Sequence, residues 1–502
     1  MKKDMRQRQR ELYESGNIWK SIAAMAVPSM LIILIMICYQ IADMYFVGML
    51  GDNAQIAAIS IVSPVYSVIM AIGSMIGIGG CTVISRGLGS GDKDQVRTSS
   101  SVSLTAAIAI GITLAALIIL FREPLLTFLG TNDEIRPYAR TYMVTLSAGA
   151  PALLFTTVFG NLIRAEGAIK EGLMANLTAS LSNIALDPLF ILGFHLGVGG
   201  AALATVLANC IGVLFLIAYV VRKSPSLTLN PAAGRQHPKA ILDILAVGLP
   251  NALSTLIAGF ASTFVNQTVV SYGTTAVAAM AAAHKSTFII AMLQMGLCMG
   301  VQPLMAYNYG AGNAGRLSET IKKMALLTFI CGISLTAFCF IENDLFVGLF
   351  LKEASAVKLG ASIVRIIVLS GPFLGFYYLS TNFLQSTGSA RTASLLSVMR
   401  QGLLLIPLLF LFHHFLGFYG VVYAQVTADT ASALTAVLLA VRHYRRLKAE
   451  QPKKESVKKN RLQSSAGSVI SLKSTACGWS GDHHLTQPAV RRRASRVSPL
   501  LH

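Results

Sequence analysis

The sequence predicts an all-α membrane protein: twelve transmembrane helices in two six-helix bundles related by a pseudo-two-fold axis along the membrane normal. Three observations carry that expectation. Of 502 residues, 54% are hydrophobic and only 13% charged, whereas soluble domains carry roughly 25% charged residues and rarely hold long apolar runs. The chain divides into twelve apolar stretches, each close to the roughly 20 residues a bilayer crossing needs. Gly, Pro and Asn recur at a nearly constant offset between the two halves of the chain, as Pro28 and Pro250 or Gly51 and Gly273 show.

The spans follow in order between breaks of Gly, Pro and charge. A basic N-terminus, 1–18, leads into the first span, 19–41, which is longer than a signal-peptide core and lacks a small-residue cleavage pattern, so it stays in the membrane. Gly48 and Gly51 separate it from the second, 55–82, which stops before Arg86, Gly87 and Gly89. The third (97–121), fourth (140–163), fifth (173–194) and sixth (199–221) end at Arg122, Arg164, the loop around Gly197 and Arg222. These form an N-lobe, 19–222. A polar linker, 223–240, holds Pro225, Pro231 and Pro238. A C-lobe, 241–441, repeats the pattern with spans at 241–270, 276–305, 319–341, 357–382, 393–414 and 418–441.

Net charge is +19. A nucleic-acid binder needs its basic residues on a water-facing surface, and apolar blocks fill nearly the whole chain, so no nucleic-acid partner is expected. The charge instead follows the positive-inside bias. With the N-terminus in the cytoplasm, the inner segments hold Arg86, Lys93, Arg97, Arg164, Lys170, Arg222, Lys223, Arg235, Lys239, Arg316, Lys322, Lys323 and Arg391. The outer loops hold Arg122, Arg136, Lys352 and Lys358 among several acids. Both termini are therefore expected in the cytoplasm of a cell (inner) membrane protein. Much of the charge, +11, lies in the tail 442–502, which ends in Arg491, Arg492 and Arg493 and has no apolar period; it is expected to be disordered. Residues 462–502 also read as a candidate cloning or reading-frame extension. Six cysteines lie in apolar stretches at spacings that match neither a zinc site nor a disulfide framework.

The repeat pairs Pro28 with Pro250, Gly51 with Gly273, and Gly73, Gly77, Gly87 and Gly89 with Gly296, Gly300, Gly310 and Gly312. Pro151, Asn161 and Gly167 pair with Pro372, Asn382 and Gly388, and Gly197 and Gly200 with Gly417 and Gly420. An even number of spans per repeat gives both halves one topology. Two bundles around a central cavity is a transporter arrangement, and no selectivity-filter sequence points to a channel.

Each charge inside a span costs about 2.5–3.5 kcal/mol even on the lenient insertion scale, so each needs a reason. In the first half these are Asp43 and Asp187. Asn183 precedes Asp187 by four residues, which puts amide and carboxylate on one helical face. Pro188 cannot donate to the Ile184 carbonyl, and Pro28 likewise frees the carbonyl of Ala24 and offers a bend in the first helix. Thr205 follows a run of small residues, Gly200 to Ala204, that permits close helix approach. Carboxylate, amide and hydroxyl oxygens suit a hard monovalent cation. Two carboxylates in a low-dielectric bundle make proton uptake as natural as Na+ binding. The alternative for this set is an interhelical fastening. In the second half, Asn266, Lys285, Arg400 and Asp429 carry different chemistry: Lys285 lines the cavity or snorkels outward, and Arg400 with Asp429 reads as a structural or gating pair. Tyr39, Met70, Asn161, Asn266, Lys285, Phe288, Met292 and Tyr377 are candidates for an adaptable cavity lining, against ordinary helix packing.

The run Asp43-Met44-Tyr45-Phe46-Val47-Gly48 followed by Leu50-Gly51, the motif Asn161 to Gly167, the motif Asn183 to Pro188 with Gly200 to Thr205, and Gln302-Pro303 through Tyr307-Asn308-Tyr309-Gly310-Ala311-Gly312 together resemble the multidrug and toxic compound extrusion family. The resemblance covers roughly residues 15 to 445. It implies a twelve-helix antiporter, not an enzyme, that needs no cofactor beyond Na+ or H+ as coupling ion. The partners it implies are small amphipathic, mostly cationic substrates and the lipid bilayer, and the chain is implied to be a monomer. The family's N-lobe cation site carries over to Asp43, Asn183, Asp187 and Thr205, and its bending first-helix proline to Pro28. Another branch uses carboxylates in helices 7 and 10; here the seventh helix has Thr255 and Asn266 and the tenth has no acid, so no C-lobe cation site is implied. A flippase for lipid-linked saccharides of the same broad superfamily is the alternative, kept open by Lys285 and Arg400, and a non-transporting membrane receptor or assembly protein is a further one.

Overall fold

In this computed structural model, residues 2–14, 16–235, 239–348, 351 and 353–476 are described. Nearly all of them are helical, because a bilayer offers backbone amides and carbonyls no partner and a helix satisfies them within the segment. The membrane helices are α1 (Ile18–Gly48), α2 (Asn53–Ser90), α3 (Lys93–Leu120), α4 (Arg136–Ala148 with Ala150–Ala165, bent by 50°), α5 (Ile169–Pro188, continued by a π-helical turn Leu189–Gly193) and α6 (Gly197–Arg222). The second set is α7 (Ala240–Val270), α8 (Thr274–Gly310), α9 (Ala314–Ile341), α10 (Ala354–Ser386), α11 (Ala390–Leu416) and α12, the membrane part, Phe418–Ala449, of a helix Phe418–Ala476. A helix, or the bent pair of α4, stands at each of the twelve expected spans, in most cases longer than expected. Four of the starts are set by side-chain caps: Asn17, Asp52, Asp92 and Asn313 accept from the first-turn amides of α1, α2, α3 and α9.

Three stretches differ from expectation. The first helix runs on to Gly48, so Asp43 lies inside it, and α2 continues to Ser90 through Gly87 and Gly89. The last helix does not end near residue 441 but continues to Ala476. Its extension is rich in Lys and Arg, both good helix formers, so low hydrophobicity there does not mean absence of helix. Pro238, Lys352 and the tail beyond Ala476, with Arg491, Arg492 and Arg493, lie outside the described residues.

Each half has its own core. One is built around Ile69, Ile76, Met143, Leu154, Phe159 and Leu162, the other around Met280, Ile290, Ile363, Val364, Leu405 and Leu409. The first also takes in Ile244 and Val247 from the start of α7, so the lobes join at the end of the bundle that carries the N-terminus. The sequence makes that join with glycine. A methyl group on Gly79 would overlap the Ile244 carbonyl, one on Gly248 the Met75 carbonyl, one on Gly89 the Tyr307 carbonyl and one on Gly310 the Arg86 carbonyl. Backbones of α2 therefore lie directly on those of α7 and α8, an approach that only small residues allow. Polar bonds cross the same seam: Arg164 donates to the Met299 carbonyl at 2.5 Å, and Gln302 to Thr82 Oγ1 at 3.2 Å.

A helix preceding the spans, Lys2–Tyr13, straps this seam from outside. The Tyr13 hydroxyl donates to the carbonyls of Arg164 (3.1 Å) and Ala165 (3.0 Å), while its ring stacks on Tyr307 at 4.5 Å. Burial pushes the Tyr13 phenol well above its usual range, so it stays a donor. Tyr307 donates to Glu14, and Arg316 to the carbonyls of Leu12 and Gly16. The linker is pinned too. Glu166, fully buried, accepts from the Tyr219 and Ser224 hydroxyls and from the amides of Ser226 and Leu227, at 2.8–3.1 Å. Burial raises the Glu166 carboxyl above its ordinary range while these four donors pull it back. Ser100 and Ser101 of α3 hold the backbone of Thr228 and Asn230.

The glycine seam makes a prediction. Gly248→Ala forces apart two backbones at a cost typical of overpacking, about 1–3 kcal/mol. Spin labels at the exposed Lys93 and Lys322, one on each lobe, are expected to show a longer interlobe distance population in Gly248→Ala than in the unsubstituted protein.

Candidate functional site

A cluster of buried polar groups in the first lobe lies between α1, α5 and α6. Asp187 is fully buried, Asn183 and Thr205 nearly so, and Asp43 on α1 is half-buried. The four-residue spacing does bring the Asn183 amide to Asp187 on one face of α5. With that amide turned so that both ends are matched, it donates to Asp187 Oδ2 at 2.9 Å and accepts from the Thr205 amide at 3.3 Å. Pro188 ends the regular part of α5, and the chain beyond it widens into the π turn Leu189–Gly193, so Asp187 sits at a point where the backbone pattern breaks. π turns of this kind are frequent at functional sites.

Asp43 is close enough for its charge to act on Asp187. Three phenols, Tyr39, Tyr66 and Tyr142, stand in the field of Asp43. Behind Thr205, Asn209 donates to its carbonyl at 2.9 Å and accepts from Thr156 at 2.7 Å. Sequence reasoning misses Tyr66, Tyr142, Asn209 and Thr156. Asn209 is within its reach, since it follows Thr205 by four residues; the other three come from helices whose approach no spacing encodes. Two carboxylates, an amide, a hydroxyl and phenols give an all-oxygen donor set, the kind that takes a hard monovalent cation or a proton.

α1 joins this cluster to the interlobe seam. It packs on α5 and α6 of its own lobe and on α8 of the other. Pro28 is buried inside it without ending the helix, and the next residue, Ser29, donates to the Met25 carbonyl at 2.9 Å. A methyl group on Gly300 of α8 would meet Ser29 and that same Met25 carbonyl at 2.8–2.9 Å. The point of α1 whose hydrogen bonding proline interrupts is therefore the point held against the second lobe.

The candidate lining residues are scattered. Met70 accepts weakly from Thr157 (3.8 Å), Met292 is partly buried, and Asn266, Lys285 and Phe288 are exposed. Asn161 belongs to the seam: it accepts from Arg164 at 3.1 Å and aims it at Met299. Tyr377 departs from a lining role. It is buried, donates to the Leu396 carbonyl and lies under Arg400, 5.0 Å from ring centre to guanidinium. Arg400 in turn pairs with Asp429 at 2.8 Å. His413 is engaged by Tyr272 at 3.0 Å.

Comparison with known proteins identifies the family to which this fold belongs. A family model described as MatE matches the chain twice, over residues 28–189 and 250–411. The two matches start at Pro28 and Pro250, the first pair of the repeat read from Gly and Pro. The multidrug export protein MepA of Staphylococcus aureus (strain NCTC 8325 / PS 47) is 30% identical over 435 residues, 87% of this chain and 96% of MepA. A crystal structure of MATE in complex with MaL6 superposes with a TM-score of 0.83 at 25% identity, covering 88% of this chain and 99% of the other. A crystal structure of MATE in the straight conformation gives the same values.

Asn183→Ala deletes a donor to a buried carboxylate, a bond worth roughly 1.5–3 kcal/mol. A lowered midpoint of thermal unfolding in detergent is expected, and a larger drop than for alanine at the exposed Asn266.

Proposed function

The chain belongs to the MatE family, and from that premise we propose that it is a secondary active multidrug efflux antiporter, exporting amphipathic, mostly cationic compounds in exchange for Na+ or H+ by alternating access. One observation carries the reading: a pair of acids in the first lobe, Asp43 and Asp187, shares a cluster with α1, and α1 is the helix whose proline-marked segment rests on the second lobe at Gly300. A cation that enters the cluster compensates its negative charge, α1 bends at Pro28, and the contact of Ser29 with Gly300 shifts. Loss of the cation restores two carboxylates among apolar helices, an environment that attracts a lipophilic cation. The exporting activity of MepA, as its name gives it, supports drugs as the cargo.

Both termini are read as cytoplasmic from the basic residues of the inner segments, which makes the glycine seam a cytoplasmic seal and the conformation outward-facing. Cell-membrane placement and a monomeric state belong to the same reading. The flippase alternative needs free basic groups in a central cavity, and the pairing of Arg400 with Asp429 weakens it.

Reconstituted vesicles test this with a fluorescent lipophilic cation, driven first by a Na+ gradient and then by a pH gradient. Hydrogen bonds and ion contacts to charged groups are worth roughly 1.5–3 kcal/mol, so Asp187→Asn is expected to lose one to two orders of magnitude of gradient-driven efflux. Full coupled efflux by Asp187→Asn would falsify the scheme.

A further inference from the structure

The second lobe has its own buried charge cluster, and the repeat places it at the positions that flank the first, while the positions of Asp43 and Asp187 themselves carry no acid. By the offset that pairs Gly197 with Gly417, Thr205 corresponds to Gln425 and Asn209 to Asp429; by the offset that pairs Pro151 with Pro372, Gly149, Thr156 and Thr157 correspond to Ser370, Tyr377 and Tyr378. In the first lobe Asn209 and Thr156 back the Asp187 cluster. In the second, Gln425 donates to Asp429 Oδ2 at 3.3 Å, Ser370 lies 3.5 Å from the same oxygen, and Asp429 Oδ1 accepts from Arg400 Nε at 2.8 Å. Arg400 also donates to the Tyr378 hydroxyl at 3.3 Å and lies over the rings of Tyr377 and Tyr378 at 5.0 and 5.6 Å. Its side chain is 11% exposed and that of Asp429 5%. His284 on α8 is a further titratable group that feels Asp429. Arg400 stands in a π-helical stretch of α11, Met399–Leu404, as the first lobe's cluster adjoins one in α5.

We propose that Arg400 is a tethered cation: beside the second lobe's counterparts of Thr205 and Asn209 it keeps Asp429 neutralised, and so confines cation coupling to the first lobe. The inference rests on the reading of the first-lobe cluster as the coupling site. A guanidinium that is part of the chain and bonds directly to the Asp429 carboxylate fills the place that a Na+ or H+ would take, and cannot leave with the transport cycle. The breaking of chemical symmetry between two lobes of one architecture then has a consequence for stoichiometry: one exchangeable cation site instead of two.

Binding of radiolabelled Na+, and proton uptake, to the purified full-length protein tests this. Asp187→Asn is expected to reduce cation binding to background, and Asp187→Asn/Arg400→Gln to regain one equivalent at the freed Asp429, a gain that a merely structural ion pair would not give. Arg400→Gln/Asp429→Asn, which removes both charges together, is expected to bind as the unsubstituted protein does. Two outcomes overturn the proposal: folded Asp187→Asn/Arg400→Gln that binds nothing, or loss of binding in Arg400→Gln/Asp429→Asn. Should Asp187→Asn alone bind normally, the first-lobe reading itself fails and the inference with it.

Discussion

Carboxylates are rarely left inside an apolar helix bundle, because the charge loses its hydration and neighbouring carboxylates repel. Asp43 and Asp187 sit under this constraint, and much of the first lobe is arranged around it. Asn183 donates an amide hydrogen to Asp187, the phenols of Tyr39, Tyr66 and Tyr142 stand in the field of Asp43, and Asn209, itself bonded by Thr156, holds Thr205 from behind. A cluster so built is stable in more than one state of charge only if something outside it adjusts. In the mechanism we propose, that something is α1, which carries Asp43 near one end and touches the other lobe near Pro28.

In the proposed cycle the glycine seam is what turns a small shift in α1 into a movement of lobes. Packed backbones are bistable and not continuously deformable: Gly79, Gly89, Gly248 and Gly310 allow contact that no larger residue would, and contact of this kind is either made or lost. The strap formed by Tyr13, Glu14 and Arg316, together with Arg164 and Gln302, adds polar bonds that the same separation breaks. The second lobe contributes its half of the seam but carries a paired Arg400 and Asp429 in place of the first lobe's proposed cation site.

The twelve spans, the repeat and the Asn183–Asp187 pair were legible because each rests on short-range periodicity: apolar length, a fixed offset, four residues along one helix. What the sequence hid depends on meetings between distant helices. Arg400 and Asp429 stand out as buried charges, but 29 positions separate them and nothing in one dimension shows the geometry of their contact. Tyr377 reads as an aromatic free to line a cavity until Arg400 is seen above it. The N-terminal segment reads only as basic charge, whereas Tyr13 anchors it by hydrogen bonds to residues 151 and 152 positions away. Gly87 and Gly89 read as a span boundary, because glycine that ends a helix and glycine that lets two helices touch look alike in one dimension.

The central claim is that occupancy of the first-lobe cluster reaches the seam through α1. Hydrogen–deuterium exchange of α1 around Pro28 and of α8 around Gly300, followed while Na+ is added at fixed pH and while pH is lowered without Na+, tests it most directly. A lever predicts that exchange in both segments changes together at the cation concentration that fills the cluster, and that Asp43→Asn/Asp187→Asn abolishes both changes. Protection that develops around Asn183 and Asp187 while the Pro28 and Gly300 segments stay unchanged contradicts it.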